Sequence, residues 1–315
     1  MAKVQVIIVF LLFSVMAYGQ RYEKVPFGDF EQWAVRYIDE SQIIGGQRKT
    51  LYIPGPTDTV SGNEPYDYSN TIWATSNAFA KVMGVVKTST NVTPDRGPKG
   101  RCAKLVTQYA YCKVAGLVNI RVVAGGSIYL GQMLEPVTGV NNPYAFMDWG
   151  IPFTKRPKAL VLNYKSKIPN TGKLVKGTTF RNIEFDGYDP AEVVFVLQYR
   201  WEDAKGNIHA KRVGTAIYHI DKTSDGWVND FRIPVIYGDA RKSKDYKPYM
   251  DLISGDKTIY ALNSKGKKKP VLEEAWADAN CPVTHAVMAI TSGSQGAFVG
   301  ALDNVLWVDE IRLEY

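Results

Sequence analysis

Residues 195–220 read FVLQYRWEDAKGNIHAKRVGTAIYHI, two alternating segments joined by a turn. Side chains alternate across a strand with period two. Phe195, Leu197, Tyr199 and Trp201 therefore share one face, and Gln198, Arg200 and Glu202 share the other. Ala204-Lys205-Gly206-Asn207 supplies the reversal, because Gly and Asn tolerate positive φ. In the return segment Ile208, Ala210 and Ala216 oppose His209, Lys211 and Thr215. The pattern predicts an antiparallel hairpin with one packed face and one wet face. It sets the class of the chain as a β-sandwich, a frame more often used to bind than to catalyse.

The rest of the chain follows suit. No long helical period is evident, and short alternating runs are separated by Gly, Pro, Asn and Asp. Strands are expected at 29–35, 51–53, 78–87, 102–111, 127–132, 159–167, 193–201, 208–220, 226–234, 287–292 and 306–314. That spacing predicts an all-β chain, a two-sheet antiparallel β-sandwich of jelly-roll type. Residues 20–315 read as one such domain, with long loops at 54–56, 141–143 and 241–250.

The first residues read differently. Lys3 precedes an apolar run from Val4 to Met16, and Ala17-Tyr18-Gly19 places small residues where a signal peptidase cuts. Residues 1–19 are read as a signal peptide. The run is shorter than the ~20 residues that span a bilayer, so the protein is expected to be exported, to the periplasm, cell surface or medium, without a membrane span. The formal net charge is +7. Its densest patch, Lys265, Lys267, Lys268 and Lys269, lies in a Gly- and Pro-containing stretch without interleaved aromatics. It reads as a solvated turn, and nucleic acid is not an expected partner. Three cysteines, Cys102, Cys112 and Cys281, allow at most one disulfide and show no zinc spacing.

The chain's two ends resemble lectin-like and galactose-binding jelly rolls, through Phe27-Gly28-Asp29-Phe30-Glu31 and the closing Leu306-Trp307-Val308-Asp309-Glu310-Ile311-Arg312-Leu313. Longer stretches carry a more specific likeness. They include Trp73-Ala74-Thr75-Ser76-Asn77, Lys81 to Thr88, Thr90-Asn91-Val92-Thr93-Pro94 and Phe185 to Glu192. They continue in the 201–215 hairpin, Ile233 to Gly238, Asn263-Ser264-Lys265-Gly266, Pro282-Val283-Thr284-His285 and Leu306-Trp307-Val308-Asp309. In these the chain resembles a family called the putative carbohydrate metabolism domain. The resemblance implies a jelly roll found in exported proteins of polysaccharide-degrading gut bacteria, some of them labelled glycoside hydrolases. It implies no catalytic residues.

Three functions are weighed from the residues. A hydrolase needs two carboxyls about 5–5.5 Å apart for retention or 6.5–9.5 Å for inversion. Glu184 and Asp186, two apart on an expected strand, are the best-placed pair, although carboxylates at strand ends also cap turns or pair with Lys and Arg. No G-x-S-x-G nucleophile motif occurs, and His209 and His219 would lie about 33 Å apart on one straight strand. A sugar binder needs flat rings flanked by polar groups. Among seven Trp and nineteen Tyr, the loop-like candidates are Trp73, Trp149, Tyr246 and Tyr249. Trp33, Trp201 and Trp307 read as core, and Trp227 and Trp276 are left open. If first and last strands pair, Glu31 and Asp309 meet near the sandwich edge, where carboxylate oxygens suit a structural Ca²⁺. The third reading is a surface scaffold that binds protein. The first choice is a non-catalytic binder of polysaccharide or oligosaccharide with no required cofactor.

Overall fold

A computed structural model describes residues 21–114, 118–139, 142–177 and 182–315. The expected signal peptide lies outside the described residues. Two sheets form the frame. The smaller has strand order Val228–Pro234, Ala159–Lys167, Val305–Glu314, Gly100–Val106, Val92–Gly97, with Tyr22–Lys24 also alongside Val305–Glu314. Its pairings are all antiparallel. The last strand does pair with an N-terminal one, but that strand is Tyr22–Lys24, with Tyr22 opposite Glu314, whereas the strand expected at 29–35 forms at Trp33–Asp39 and pairs with Arg48–Pro54 and Asp58–Ser61.

The larger sheet runs Ile151–Pro152, His285–Thr291, Ala191–Glu202, Ile208–Ile220, Lys268–Trp276, Tyr260–Leu262, Met147–Trp149, Ser127–Met133, Trp73–Thr75. Ser127–Met133 also pairs with His285–Thr291, so the ladder closes on itself. Two of its pairings are parallel, Ile208–Ile220 with Lys268–Trp276 and Met147–Trp149 with Tyr260–Leu262. Shorter hairpins, such as Ala78–Val82 with Val85–Ser89, attach outside this frame.

The main core lies between the two sheets. Leu160, Leu162, Leu306 and Val308 meet Val193, Phe195, Leu197 and Met288 there. The larger sheet's other face carries a second core with Val196, Ala210, Ile217, Val287 and Ala289. Burial on both faces explains the continuous apolar run Val193–Leu197, which simple alternation does not anticipate.

The hairpin forms as expected, with Phe195 opposite Ala216 and Trp201 opposite His209. Its turn is held by the Asp203 carboxylate, which accepts from the Lys205 and Asn207 amides at 2.8 Å each. Gly206 takes φ 76° there, a conformation glycine adopts freely. The faces, however, exchange environments along its length. Phe195 and Leu197 are buried, while Tyr199 and Trp201 on the same face emerge into solvent. Gln198 and Arg200, assigned to the wet face, are buried. The smaller sheet covers only the first half of the strand. The second half instead turns its polar face into the closed ring, where Gln198 bonds Glu273, and Arg200 bonds Gln198 and the Trp149 carbonyl.

Candidate functional site

That ring interior holds an ion-pair network. Arg212 and Glu273 have 0% side-chain exposure, and the Arg212 Nε donates to Glu273 Oε1 at 2.6 Å. Gln198 Nε2 donates to the same oxygen at 2.8 Å, and the Ile253 amide donates to Oε2 at 2.6 Å. Arg212 Nη1 also reaches the Met250 carbonyl at 3.4 Å. Buried charges persist only when paired and hydrogen-bonded. Here that requirement pins the 250–253 segment onto the sheet. Arg200 adds a second buried guanidinium, donating to Gln198 Oε1 at 2.7 Å and to the Trp149 carbonyl at 2.9 Å. Burial depresses its pKa to about 10.

The pinned segment separates two clefts, and Asp251, Leu252 and Ser254 line both. The first is open and polar, about 870 Å³. It lies between the segment and the end of the Lys268–Trp276 strand, with Trp276, Asp239, Arg241, Lys242 and Glu274 in its wall. Trp276 is half-buried, and the Arg212 and Arg241 guanidiniums lie 5.5 and 5.9 Å from its ring centroid. Asp239 caps a short turn by accepting from the Arg241 amide at 3.1 Å and from Arg241 Nε at 2.9 Å. The Arg241 contact holds the Asp239 carboxyl below its usual range. Tyr246 is half-buried and hydrogen-bonds Asp251.

The second cleft is narrower in chemistry, about 650 Å³ and mostly apolar. Its floor is the outer face of the larger sheet. Ile217, Val194 and Ala289 sit opposite one another across three strands. Two residues along, the next row is polar: His219, Glu192 and Thr291. Period-two alternation thus makes one apolar and one polar stripe. Glu192 Oε1 lies 2.9 Å from His219 Nε2 and 4.0 Å from Lys257 Nζ. Tyr249 stacks on His219 at 3.8 Å.

The sequence candidates are distributed unevenly over this geometry. Trp73 is fully buried, with its indole donating to the Pro26 carbonyl at 2.7 Å and its ring 6.0 Å from Phe30. It is a core residue, because its short strand pairs at the sheet edge beneath the 25–33 segment. Trp149 is 6% exposed and stacks on Tyr129 at 4.6 Å, so it is a cleft wall rather than a loop ring. Tyr246 and Tyr249 lie just before the shared segment, packed against the second core, and of the two only Tyr249 lines a cleft, the apolar one. Trp201 and Trp307, expected in the core, are half-exposed.

Glu184 and Asp186 stand on the exposed Asn182–Asp186 strand, and neither lines either cleft. Asp186 pairs with Lys173, which holds its carboxyl below the usual range. Glu31 accepts from the Arg101 amide at 3.0 Å. Asp309 is 4% exposed and is pushed up to about 7 by burial, with the charges of Glu310, Glu31 and Asp29 adding to it. Ca²⁺ takes six to eight oxygens. Among the described residues no group of three or more His, Cys, Asp or Glu side chains that could hold a metal is found. Cys102 is a buried free thiol, pushed up to about 12 by burial.

The polar cleft was not anticipated. Trp276 closes an alternating run beside Glu273-Glu274 and Ala277-Asp278, and polar neighbours at a strand end were the available signal. The sheet pairing that brings it to 239–242 is not local.

The profile of the putative carbohydrate metabolism domain matches residues 57–314. The chain belongs to that family. A solved structure of a putative glycoside hydrolase from Bacteroides thetaiotaomicron is similar at 17% identity and a TM-score of 0.45, over 86% of this chain and 75% of its own. Another putative glycoside hydrolase, from Bacteroides vulgatus, is similar at 13% identity and a TM-score of 0.41, over 93% and 94%. No curated protein matches the chain. The family assignment gives the chain a carbohydrate-related function. Among the described residues, no helix is long and apolar enough to cross a membrane.

Proposed function

We propose that this member of the family binds glycan without cleaving it, in the polar cleft beside Trp276. The observation that carries the reading is the composition of that cleft: a half-buried indole amid Asp239, Arg241, Lys242 and Glu274. Sugars present C–H faces to an aromatic ring and hydroxyls to charged or amide groups. The buried Arg212–Glu273 pair holds the wall in place before ligand arrives, which limits the ordering cost of binding. The protein is read as exported, acting beside enzymes that degrade polysaccharide.

Hydrolysis is the second reading, and the carboxyls speak against it. A general acid must keep its proton near neutral pH. Among the described residues the carboxyls held above their usual range are Glu135, Asp189 and Asp309. None lines the polar cleft. Asp189 borders the apolar cleft, but it accepts from the Ser294, Gln295 and Ala301 amides and is a loop hub. The test is retention of residues 20–315 on a panel of insoluble and immobilised polysaccharides, with reducing sugar assayed in the supernatant. Retention without release is expected. Released sugar would make the protein an enzyme, and no retention on any glycan would remove the binding reading.

A further inference from the structure

The apolar cleft has no role in holding a sugar, yet it is built rather than accidental. Protein interiors contain few voids larger than a water molecule. Here a space of about 650 Å³ lies between a sheet and a covering hairpin, within the range of small-molecule sites. The hairpin is patterned for it. Ala78, Ala80 and Val82 face the cleft, while Phe79 between them is wholly buried with Ile38, Leu51 and Val86 in a separate small core. Small side chains on the cleft side leave the space open. Opposite them lie Ile217, Val194 and Ala289.

We propose that this cleft receives the alkyl chain of an amphiphile with an uncharged head, a glycolipid. The inference rests on the glycan reading of the neighbouring cleft. Three observations select the occupant. The wall is apolar over one stripe and polar over the next, so the ligand has one apolar and one polar end. Glu192 has Lys257 Nζ at 4.0 Å and His219 Nε2 at 2.9 Å, Asp251 interacts with Arg241, and the other lysine of the wall, Lys87, is tied to Glu40 at 2.8 Å. With these cations already engaged by carboxylates, the wall offers no free one to a carboxylate or phosphate head. The polar end also borders the sugar cleft, because Asp251, Leu252 and Ser254 form a wall common to both spaces.

The probe is N-phenyl-1-naphthylamine, an uncharged dye that fluoresces in apolar surroundings. Residues 20–315 are titrated with it, and then with dodecyl maltoside below its micelle concentration, maltose or laurate. The expected result is saturable uptake, displacement by dodecyl maltoside, none by maltose, and at least ten-fold weaker displacement by laurate. Val194→Trp should abolish uptake, and Ala80→Trp, on the covering hairpin, should do the same where the first variant melts early. Absence of saturable uptake, or displacement by laurate as strong as by dodecyl maltoside, overturns the proposal. Uptake retained at full strength in a folded Val194→Trp or Ala80→Trp chain also overturns it. Trp276→Ala should leave uptake intact. A chain that takes up the dye and releases it to dodecyl maltoside, yet is retained on no polysaccharide, would contradict the glycan reading while leaving the alkyl site standing.

Discussion

The two clefts share three residues and differ in nearly everything else. One is walled by a strand end and a capped turn, with an indole amid charges of both signs. The other is floored by a sheet face, where Ile217, Val194 and Ala289 form a row and charge gathers only at one end. The difference comes from where each lies on the same sheet. In mid-sheet, side chains pack against a covering hairpin and must be apolar. Past the sheet's end, backbone turns need caps such as Asp239, and polar groups collect. The lesson is that one pinned segment, 250–253, can border two chemistries.

The most severe way to break the contrast is at the shared anchor. Glu273→Ala leaves Arg212 buried without its partner, at a cost of about 3–5 kcal/mol. Urea midpoints should fall accordingly, and both clefts should lose their ligands together. Trp73→Ala should be comparably destabilising, about 3–5 kcal/mol, because it empties a core site. Any effect of that change on glycan retention should follow from unfolding, not from a lost contact. Trp276→Ala sharpens the comparison. It should weaken glycan retention about ten-fold, a loss of about 1.4 kcal/mol, with dye uptake and melting temperature close to those of the parent.

The effect with no bearing on either ligand lies outside both clefts. The folded chain holds the Asp309 proton up to about pH 7, whereas the unfolded chain releases it near the ordinary carboxyl value of 3.8. Between those values the native state binds more protons, so stability falls as pH rises through that window and levels off above it. Asp309→Asn should remove that fall in pH-dependent denaturation curves without touching either ligand.

How much of this was legible in the sequence follows from the range of the interactions involved. The hairpin and its turn rest on local alternation and on Gly and Asn, and they were readable, whereas the N-terminal strand that pairs with the last one is Tyr22–Lys24 and not the expected 29–35. The family resemblance was readable too, from long stretches such as Trp73–Asn77. The exchange of faces after Leu197 was not, because Tyr199 and Trp201 are exposed only where the smaller sheet stops covering them. Trp73 looked like a loop ring amid Tyr66-Asp67-Tyr68, yet it is sealed by Pro26 and Phe30, partners more than forty residues away. Trp276 was left open for the converse reason: its neighbours Arg212 and Arg241 arrive through sheet pairing and a distant turn. Trp149 and Tyr249 were singled out for sugar and instead line the apolar cleft.

The central claim is that Trp276 lies in the glycan contact. Its most direct test is affinity electrophoresis of the parent and Trp276→Ala in gels containing the polysaccharide that retains the parent best, with circular dichroism as the control of fold. The account expects strong retardation of the parent and near-free migration of an equally folded variant. Equal retardation of both chains would contradict it and move the sugar elsewhere on the protein.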